Sequence, residues 1–396
     1  MATVPTKPIS TSATASAEAA KPAAPSFRFG ARHAAFEASL EFFLSPIRPF
    51  LLDPAVTEVM VNGPEHVYVE KRGRIELTGA RFGSDGDVQA AANNIAQFVG
   101  QPLSQDRPIL DGRLPDGSRV CIVLAPLATA GTQINIRRFP ATSANPQFLL
   151  EHKAITPLAM EFLLLAVRAY RNIVVAGGAG SGKTTLLNVL THGFAQDERI
   201  IVIEDTRELQ VQRPHVVQME ARRADAYGRG EITVRELFTT SLRMRPDRIV
   251  VGEVRRGEAL DMIQAMTSGH HGSLTTVHAS TPADTCYRIE TMALMADVGL
   301  PLMALRRQVA SALDLIVQTV RLPSGRRLVS QISELGIDDE SHNYLIRDIF
   351  TLKGEAADLH LEWTGRRPEL ADDVVLKELP EHINLTRPML EERSES

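Results

Sequence analysis

A glycine-rich stretch between an apolar strand and an apolar helix constrains this chain more than any other sequence feature. Residues 177–184 read GGAGSGKT, after the strand-forming run NIVVA and before the helical run TLLNVL. Glycines at a strand-to-helix bend let backbone N–H groups turn toward phosphate oxygens, and the dipole of the following helix favours a bound anion. A bend that binds nothing is the alternative, but it would require neither the lysine nor the hydroxyl. The stretch therefore predicts a phosphate-binding loop.

The spacing within this loop assigns roles to its side chains. Lys183 is placed to reach the β- and γ-phosphates of a nucleotide, and Thr184 is placed to ligate Mg²⁺. We expect the nucleotide to contact nine consecutive residues: Gly177, Gly178, Ala179, Gly180, Ser181, Gly182, Lys183, Thr184 and Thr185. ATP is favoured over GTP because the Asn-Lys-x-Asp pattern by which many GTPases recognise guanine is absent. The loop alone leaves a small-molecule kinase open.

Apolar strands alternate with helical segments after the loop. The strands fall at 172–176, 198–204, 248–251 and 274–277, and the helices at 183–193, 233–244 and 256–267. Such alternation predicts parallel βαβ units. Further strands are expected at 314–320, 326–334, 344–352 and 359–363. The pattern indicates an α/β fold with a RecA-like P-loop domain.

The residues before the loop follow a different pattern. Strands are expected at 56–61, 66–70, 118–124 and 132–138, with helices over 32–52 and 87–99, which predicts a smaller mixed α+β domain. We therefore divide the chain into an Ala- and Pro-rich disordered tail (1–30), an N-terminal domain (31–140), a hinge linker (141–150) and a P-loop domain with a C-terminal extension (151–396).

Two acidic residues follow apolar strands of the P-loop domain. Glu253 comes after RIVVG, where P-loop folds place a metal- and water-orienting acid, although Gly252 occupies the usual aspartate position. Glu204 ends the strand IIVIE. Carboxyl ends of parallel strands form the ligand crevice of such sheets. We expect Glu204 to polarise the attacking water and Glu253 to orient Mg²⁺, with the reverse assignment also open.

Three histidines lie in the segment GHHGSLTTVHA, residues 269–279. A zinc site would need third and fourth ligands at suitable spacing, and none is evident. We therefore expect His270 and His278 to detect whether the γ-phosphate is present.

Arginines of the first domain cluster near the predicted hinge. They lie in DGRLPDGSRV and INIRRF, as Arg113, Arg119, Arg137 and Arg138. Surface arginines are commonly only solvated. If domain closure brings them to the phosphates, each could act as an arginine finger, which contributes about 10³ to 10⁵ in rate where measured.

Composition limits the remaining function classes. The formal net charge of −5 argues against coating of nucleic acid, so no direct nucleic-acid partner is expected. Cys121 and Cys286 are too far apart to indicate a zinc site or a disulfide framework, which favours a reducing cytoplasm. The sequence contains neither a secretory signal pattern nor eighteen consecutive apolar residues, so we expect no transmembrane segment.

Taken together, these motifs resemble the secretion ATPase superfamily. Its Walker A loop, Asp box, Walker B strand and His box correspond in order to GGAGSGKT, IVIEDTREL, RIVVGEV and GHHGSLTTVHA. Segments such as VTEVMVNGPEHVYVEKRGRIE, INIRRF and SALDLIVQTVRL look most like the Tad/Flp pilus assembly ATPases of the CpaF type. The resemblance covers roughly residues 48–335.

The resemblance implies a cytoplasmic homohexamer docked on inner-membrane pilus platform proteins, in which ATP hydrolysis drives pilus assembly; whether the motor also drives retraction stays open. It also implies catalytic roles for seven residues: Glu253, Glu204, His270, His278, Arg113, Arg137 and Arg138. Two alternatives stay open. One is a type IV secretion or conjugation ATPase that moves protein or DNA, and the other is a regulatory nucleotide-binding module without appreciable hydrolysis.

Overall fold

Two β-sheets organise the part of the chain that the computed structural model describes. The described residues are 38–71, 73–114, 116–138, 144–222, 224, 228–338, 340–355 and 358–391. The tail predicted at 1–30 lies outside them. No helix within these ranges combines the length and apolarity needed to cross a membrane.

The first sheet is antiparallel and has the strand order β3-β2-β1-β6-β5-β4. Its strands are β1 (Val56–Asn62), β2 (His66–Lys71), β3 (Arg74–Leu77), β4 (Ile109–Arg113), β5 (Arg119–Val123) and β6 (Gln133–Arg137). Helix α1 (Arg48–Leu52) precedes the sheet, and helix α2 (Asp85–Val99) contacts it. The Ser84 side chain caps the start of α2, and Gly100, with φ of +71°, ends it. This confirms the N-terminal domain as mixed α and β.

The second sheet carries the phosphate-binding loop and has the order β15-β14-β13-β12-β7-β11-β10-β8-β9. Its strands are β7 (Ile173–Gly177), β8 (Ile200–Glu204), β9 (Val216–Glu220), β10 (Arg248–Val251), β11 (Leu274–Val277), β12 (Leu315–Arg321), β13 (Arg327–Ile337), β14 (Tyr344–Lys353) and β15 (His360–Trp363). Strands β7 to β12 pair in parallel, and β13 to β15 extend the sheet antiparallel. The predicted α/β fold is thereby confirmed.

Helices cover both faces of the second sheet. They are α3 (Pro146–Glu151), α4 (Pro157–Arg168), α5 (Lys183–Leu190), α6 (Val234–Ser241), α7 (Glu258–Thr267), α8 (Pro282–Leu294), α9 (Leu302–Ala312) and α10 (Arg387–Leu390). Alternate residues of β7 enter different cores: Val175 belongs to the core that includes Phe162 of α4, and Val174 to the core that includes Ile263 of α7. A central parallel strand buried on both faces is continuously apolar for this reason.

The segment predicted as a hinge linker at 141–150 is partly helical. Helix α3 occupies Pro146–Glu151, and the Asn145 side chain accepts a hydrogen bond from the N–H of Phe148 at its start. A capping side chain followed by proline favours helix initiation at this point. Residues 139–143 lie outside the described residues, so the exact domain boundaries stay a prediction.

Candidate nucleotide-binding site

The predicted phosphate-binding loop joins the end of β7 to the start of α5. Gly180 and Gly182 have φ of +65° and +99°, which side chains with a Cβ rarely adopt. Gly177 has no room for a side chain, because a Cβ there would lie 2.3 Å from Thr319 Oγ1 and 2.5 Å from Ser181 Oγ. Those two hydroxyls are 2.8 Å apart, which attaches the base of the loop to β12. Three of the four loop glycines, Gly177, Gly180 and Gly182, are therefore required by backbone angle or by space.

Lys183 lies inside the loop, with 6% of its surface exposed. Its Nζ donates to Gly178 O at 2.8 Å and is 3.3 Å from Nδ1 of His278. Burial lowers the pKa of Lys183, and the nearby Glu253 carboxylate opposes that shift. The arrangement places one lysine cation where an anion bound by the loop would be held.

Glu253 and His278 continue this contact chain. His278 Nε2 is 3.2 Å from Glu253 Oε1. Because Lys183 donates to Nδ1, the imidazole proton belongs on Nε2, where it donates to the carboxylate. Burial lowers the pKa of His278, which favours this neutral form. Arg255 Nη2 binds the other carboxylate oxygen of Glu253 at 2.8 Å. The structure thus brings three predicted site residues together and adds Arg255.

Glu204 is placed differently from Glu253. Its side chain is buried, and Oε1 accepts hydrogen bonds from the N–H groups of Glu208 and Leu209 at 2.8 and 2.9 Å. Burial raises the pKa of Glu204 to about 7, against the effect of these bonds. A Cβ at Gly252 would lie 2.8 Å from Glu204 Cγ, so the glycine makes room for this carboxyl. This close approach explains why glycine stands where an aspartate was expected.

His270 lies at the opposite edge of the sheet from the loop. It precedes β11, whose first residue pairs with Ile173, the first residue of β7, whereas the loop follows the last residue of β7. Its carbonyl accepts from Ser273 Oγ, and the N–H of Ser273 donates to the side chain of Asn172. The structure does not bring His270 to the loop of its own chain, and its role in detecting a γ-phosphate stays a prediction. His278, at the carboxyl end of β11, is the histidine beside Lys183.

Two of the predicted arginines cross from the first sheet to the P-loop domain. Arg113 binds Glu220 at 2.9 Å and the carbonyl of Arg207 at 3.1 Å. Arg137 lies 3.9 Å from Glu208, has 59% of its side chain exposed, and acts as a nearby positive charge on Lys183. Arg137 is thus close to the loop, whereas Arg113 is held at the end of β9.

The other two arginines remain within the first domain. Arg138 Nη1 donates to the carbonyls of Asp53 and Val56, the latter at 2.9 Å. Arg119 lies 3.6 Å from Asp111 on the neighbouring strand. Successive strand residues point to opposite faces, so Arg137 and its neighbour Arg138 cannot both face the loop. In this structure Arg138 bonds the first domain and not the loop, so its role as an arginine finger after domain closure stays a prediction.

Two arginines that sequence reasoning missed flank the loop from β12 and β13. Arg327 Nε donates to Gly180 O at 2.7 Å. Arg321 Nη1 would lie 3.2 Å from a Cβ at Gly180. The available signal was the cluster of arginines in RLPSGRR, at the turn between the two predicted closing strands.

The chain's residues fit a magnesium nucleotide. Apart from Gly178 and its two chain neighbours, no atom of the described residues lies within 4 Å of a Cβ placed at Gly178, so the loop is open there. Thr184 follows Lys183 in the first turn of α5, and Glu253 contributes carboxylate oxygens, the ligand type that Mg²⁺ prefers. Bound Mg²⁺ would supply positive charge to the phosphate oxygens, with Thr184 and Glu253 as its protein ligands. Among the described residues no group of three or more His, Cys, Asp or Glu side chains forms a metal site.

Comparison with known proteins identifies similar chains. Residues 43–368 match the family described as Type II/IV secretion system protein. A putative conjugal transfer protein of Mycobacterium tuberculosis is 36% identical over 295 residues, 73% of this chain and 83% of that protein. The type IV secretion system protein VirB11 of Brucella suis is 36% identical over 307 residues, 71% of this chain and 85% of its own length.

Among solved structures, the pilus retraction motor PilT with bound ADP is similar to this chain. The TM-score is 0.50 at 20% sequence identity, and the match covers 78% of this chain and 82% of the motor. Similarity at this level of identity shows a shared fold alone.

Proposed function

Because this chain belongs to the type II/IV secretion system protein family, we propose that it is an ATP-hydrolysing motor of the type IV secretion and conjugation kind, which moves protein or DNA. The two relatives support this choice, since one is named a conjugal transfer protein and the other a type IV secretion system protein. Pilus assembly of the Tad/Flp kind stays a prediction from sequence motifs.

One observation carries the hydrolytic part of this proposal, namely the contact chain from Lys183 through His278 to Glu253. In the proposed reaction, Lys183 exchanges its bond to Gly178 O for a phosphate oxygen. His278 keeps its proton on Nε2 and orients the Glu253 carboxylate, which accepts a proton from the attacking water or holds the metal. A module that only binds nucleotide would not need an oriented carboxylate beside the lysine.

Glu204 has a positioning role in this proposal. Its carboxyl holds the backbone at Glu208 and Leu209, and the charge of Glu208 acts on Lys183. Glu208 also faces Arg137 from the first sheet. We propose that nucleotide binding draws Arg137 toward the phosphates and that hydrolysis releases it, so that the two domains close and reopen as rigid bodies.

The test compares Glu253→Gln and Lys183→Ala with wild type. We expect Glu253→Gln to bind ATP with Mg²⁺ but to lose at least about 100-fold in turnover, the usual lower range for loss of a general base. Lys183→Ala should lose nucleotide affinity as well. Turnover retained by Glu253→Gln would contradict the assigned role, and wild-type protein without measurable hydrolysis would favour the regulatory alternative.

A second measurement separates the two kinds of cargo. We expect the ATPase rate of the purified protein to rise with a secretion substrate, and a rise with DNA would overturn the expectation from net charge that no nucleic acid binds directly. Stimulation by pilus platform proteins alone would instead support the pilus assembly prediction.

Assembly and location follow from the same family resemblance. We propose a homohexamer that acts in the cytoplasm, bound to inner-membrane partner proteins. Light scattering in the presence of an ATP analogue and Mg²⁺ should report six chains, and a monomer under all nucleotide conditions would contradict this assembly.

A further inference from the structure

A carboxylate of the first sheet binds both arginines that flank the phosphate-binding loop. Glu70 Oε1, on β2, lies 2.9 Å from Arg321 Nη2 and 3.4 Å from Arg327 Nη2. Only 13% of the Glu70 side chain is exposed, so water screens these pairs less than it screens surface ion pairs. Residues about 250 positions apart in the sequence are thereby joined across the two domains.

The Glu70 carboxylate is held in a fixed orientation by a residue of the neighbouring strand β1. Thr57 Oγ1, on β1, donates to Glu70 Oε2 at 3.0 Å and lies 3.2 Å from the Glu70 carbonyl. This leaves Oε1 for the two arginines. Because both of its oxygens accept hydrogen bonds, the carboxylate is fixed in orientation as well as supplying a negative charge.

The turns on either side of this contact also meet through their backbones. A Cβ at Gly73, which follows β2, would lie 3.1 Å from the carbonyl oxygen of Gly325 in the β12–β13 turn. Both glycines have positive φ, +78° and +85°. Arg321 Nη2 also donates to the Gly73 carbonyl. The first domain therefore sits directly on the hairpin that supplies the two arginines.

One arginine of this pair, Arg327, contacts the loop backbone. Arg327 Nε donates to Gly180 O, 2.7 Å away, on the outside of the loop. The C=O and N–H of one trans peptide point in opposite directions, so this bond turns the N–H of Ser181 inward, toward Gly178 O at 3.4 Å across the loop. Arg327 thus fixes the direction of one N–H group that a phosphate would meet.

We propose that Glu70 is a positioning residue for nucleotide binding. It holds Arg321 and Arg327 against the phosphate-binding loop, so that the seating of the first domain sets the loop's affinity for the phosphates. The inference rests on the proposed function, because it assigns a partner to the same loop. Without the Glu70 charge the two arginines repel each other and the Gly180 peptide loses its fixed orientation, so binding must then order the loop.

The experiment measures ADP affinity and ATPase kinetics for Glu70→Gln against Glu76→Gln. Glu76 is an exposed carboxylate on neighbouring β3, so its variant removes the same charge from the same sheet. We expect Glu70→Gln to raise the Kd for Mg-ADP and the KM for ATP about 3- to 10-fold, the effect of about 1 kcal/mol, with kcat changed less than twofold. Glu76→Gln should match wild type.

Two further variants separate positioning from a merely structural role. Arg327→Lys keeps the charge but removes the Nε donor, and we expect the same loss of affinity. The double variant Glu70→Gln with Arg327→Lys should lose little more affinity than either single variant, because both changes break the same connection between Glu70 and the loop. Amide hydrogen exchange at residues 178–182 should also rise in both variants.

The outcomes distinguish this inference from the proposed function. Wild-type protein that binds no nucleotide would remove the proposed function. Normal binding by wild type with equal affinity in Glu70→Gln would overturn only the inference, as would fully additive effects of the two changes. If Glu70→Gln lowers the unfolding temperature, Thr57→Val provides the same test, because it only releases the carboxylate; affinity equal to wild type in Thr57→Val would then contradict the inference.

Discussion

Glu204→Gln should stabilise the protein at alkaline pH, although it replaces a residue of the nucleotide site. Glu204 is 3% exposed, and its burial raises its pKa from 4.5 to about 7. The folded state therefore binds a proton more tightly than the unfolded state does. The resulting stabilisation is fully present below pH 4.5 and is lost as the pH rises through about 7.

The size of the effect follows from this shift. A change from 4.5 to about 7 corresponds to about 3 kcal/mol at most, since each unit of pKa is about 1.4 kcal/mol. Glutamine has nearly the same shape and keeps an acceptor oxygen for the N–H groups of Glu208 and Leu209. It carries no charge, so the variant should gain up to about 3 kcal/mol over wild type at pH 8 and close to nothing at pH 4.5.

Urea unfolding at pH 5 and at pH 8, followed by tryptophan fluorescence, measures this difference. Trp363 is the only tryptophan of the chain and lies on β15, so its signal reports the P-loop domain. Glu204→Asp, which keeps the charge but shortens the side chain, serves as the control. A variant destabilised equally at both pH values would refute the reasoning, because Glu204 would then be ionised and held as a carboxylate by the two N–H groups.

Three further predictions concern two histidines of the His box, two arginines of the first domain and a buried arginine of the P-loop domain. His278→Ala should lower turnover about 10- to 100-fold, as loss of an orienting partner does. His270→Ala should change turnover less than about twofold. Equal losses in the two variants would contradict the placement of the two histidines at opposite edges of the sheet. Arg137→Ala should lower turnover about 10³-fold without changing the free energy of unfolding. Arg138→Ala should instead lower the free energy of unfolding by about 1.5–3 kcal/mol, because it removes the side chain's bonds to backbone carbonyls. The opposite pattern in paired ATPase and denaturation assays would exchange the two roles. Arg248, with 1% of its side chain exposed, binds the buried carboxylate of Glu198 at 2.8 Å. Arg248→Met should lower the free energy of unfolding in urea by about 3–5 kcal/mol, because it leaves the Glu198 carboxylate buried without its cation. A loss below about 1 kcal/mol would contradict this.

Local patterns predicted much of the P-loop domain. Strands β10 and β11 have the bounds expected from their apolar runs, and the loop lies between a strand and a helix as its glycines require. In contrast, β9 (Val216–Glu220) was not predicted, because this edge strand is only half-buried and lacks the apolar run of a central strand. Helices α8 and α9 were also missed.

Some residues of the candidate site could be identified from the sequence, whereas the placement of others could not. Lys183 and its glycines could be identified from the sequence because the loop's chemistry lies within eight consecutive residues. The different placements of Glu204 and Glu253 could not, since they depend on the space left by Gly252 and on contacts with residues far along the chain.

The sequence by itself determined the phosphate-binding loop, the parallel α/β sheet and the order of the motifs, because backbone conformation and periodic burial act over short stretches of chain. Only the tertiary structure decided that His278 lies beside Lys183 while His270 lies at the other edge, that Arg138 faces away from the loop, and that Glu70 joins the two domains. These outcomes depend on strand pairing and domain contact, which bring distant residues within hydrogen-bonding distance and leave no local signal in the chain.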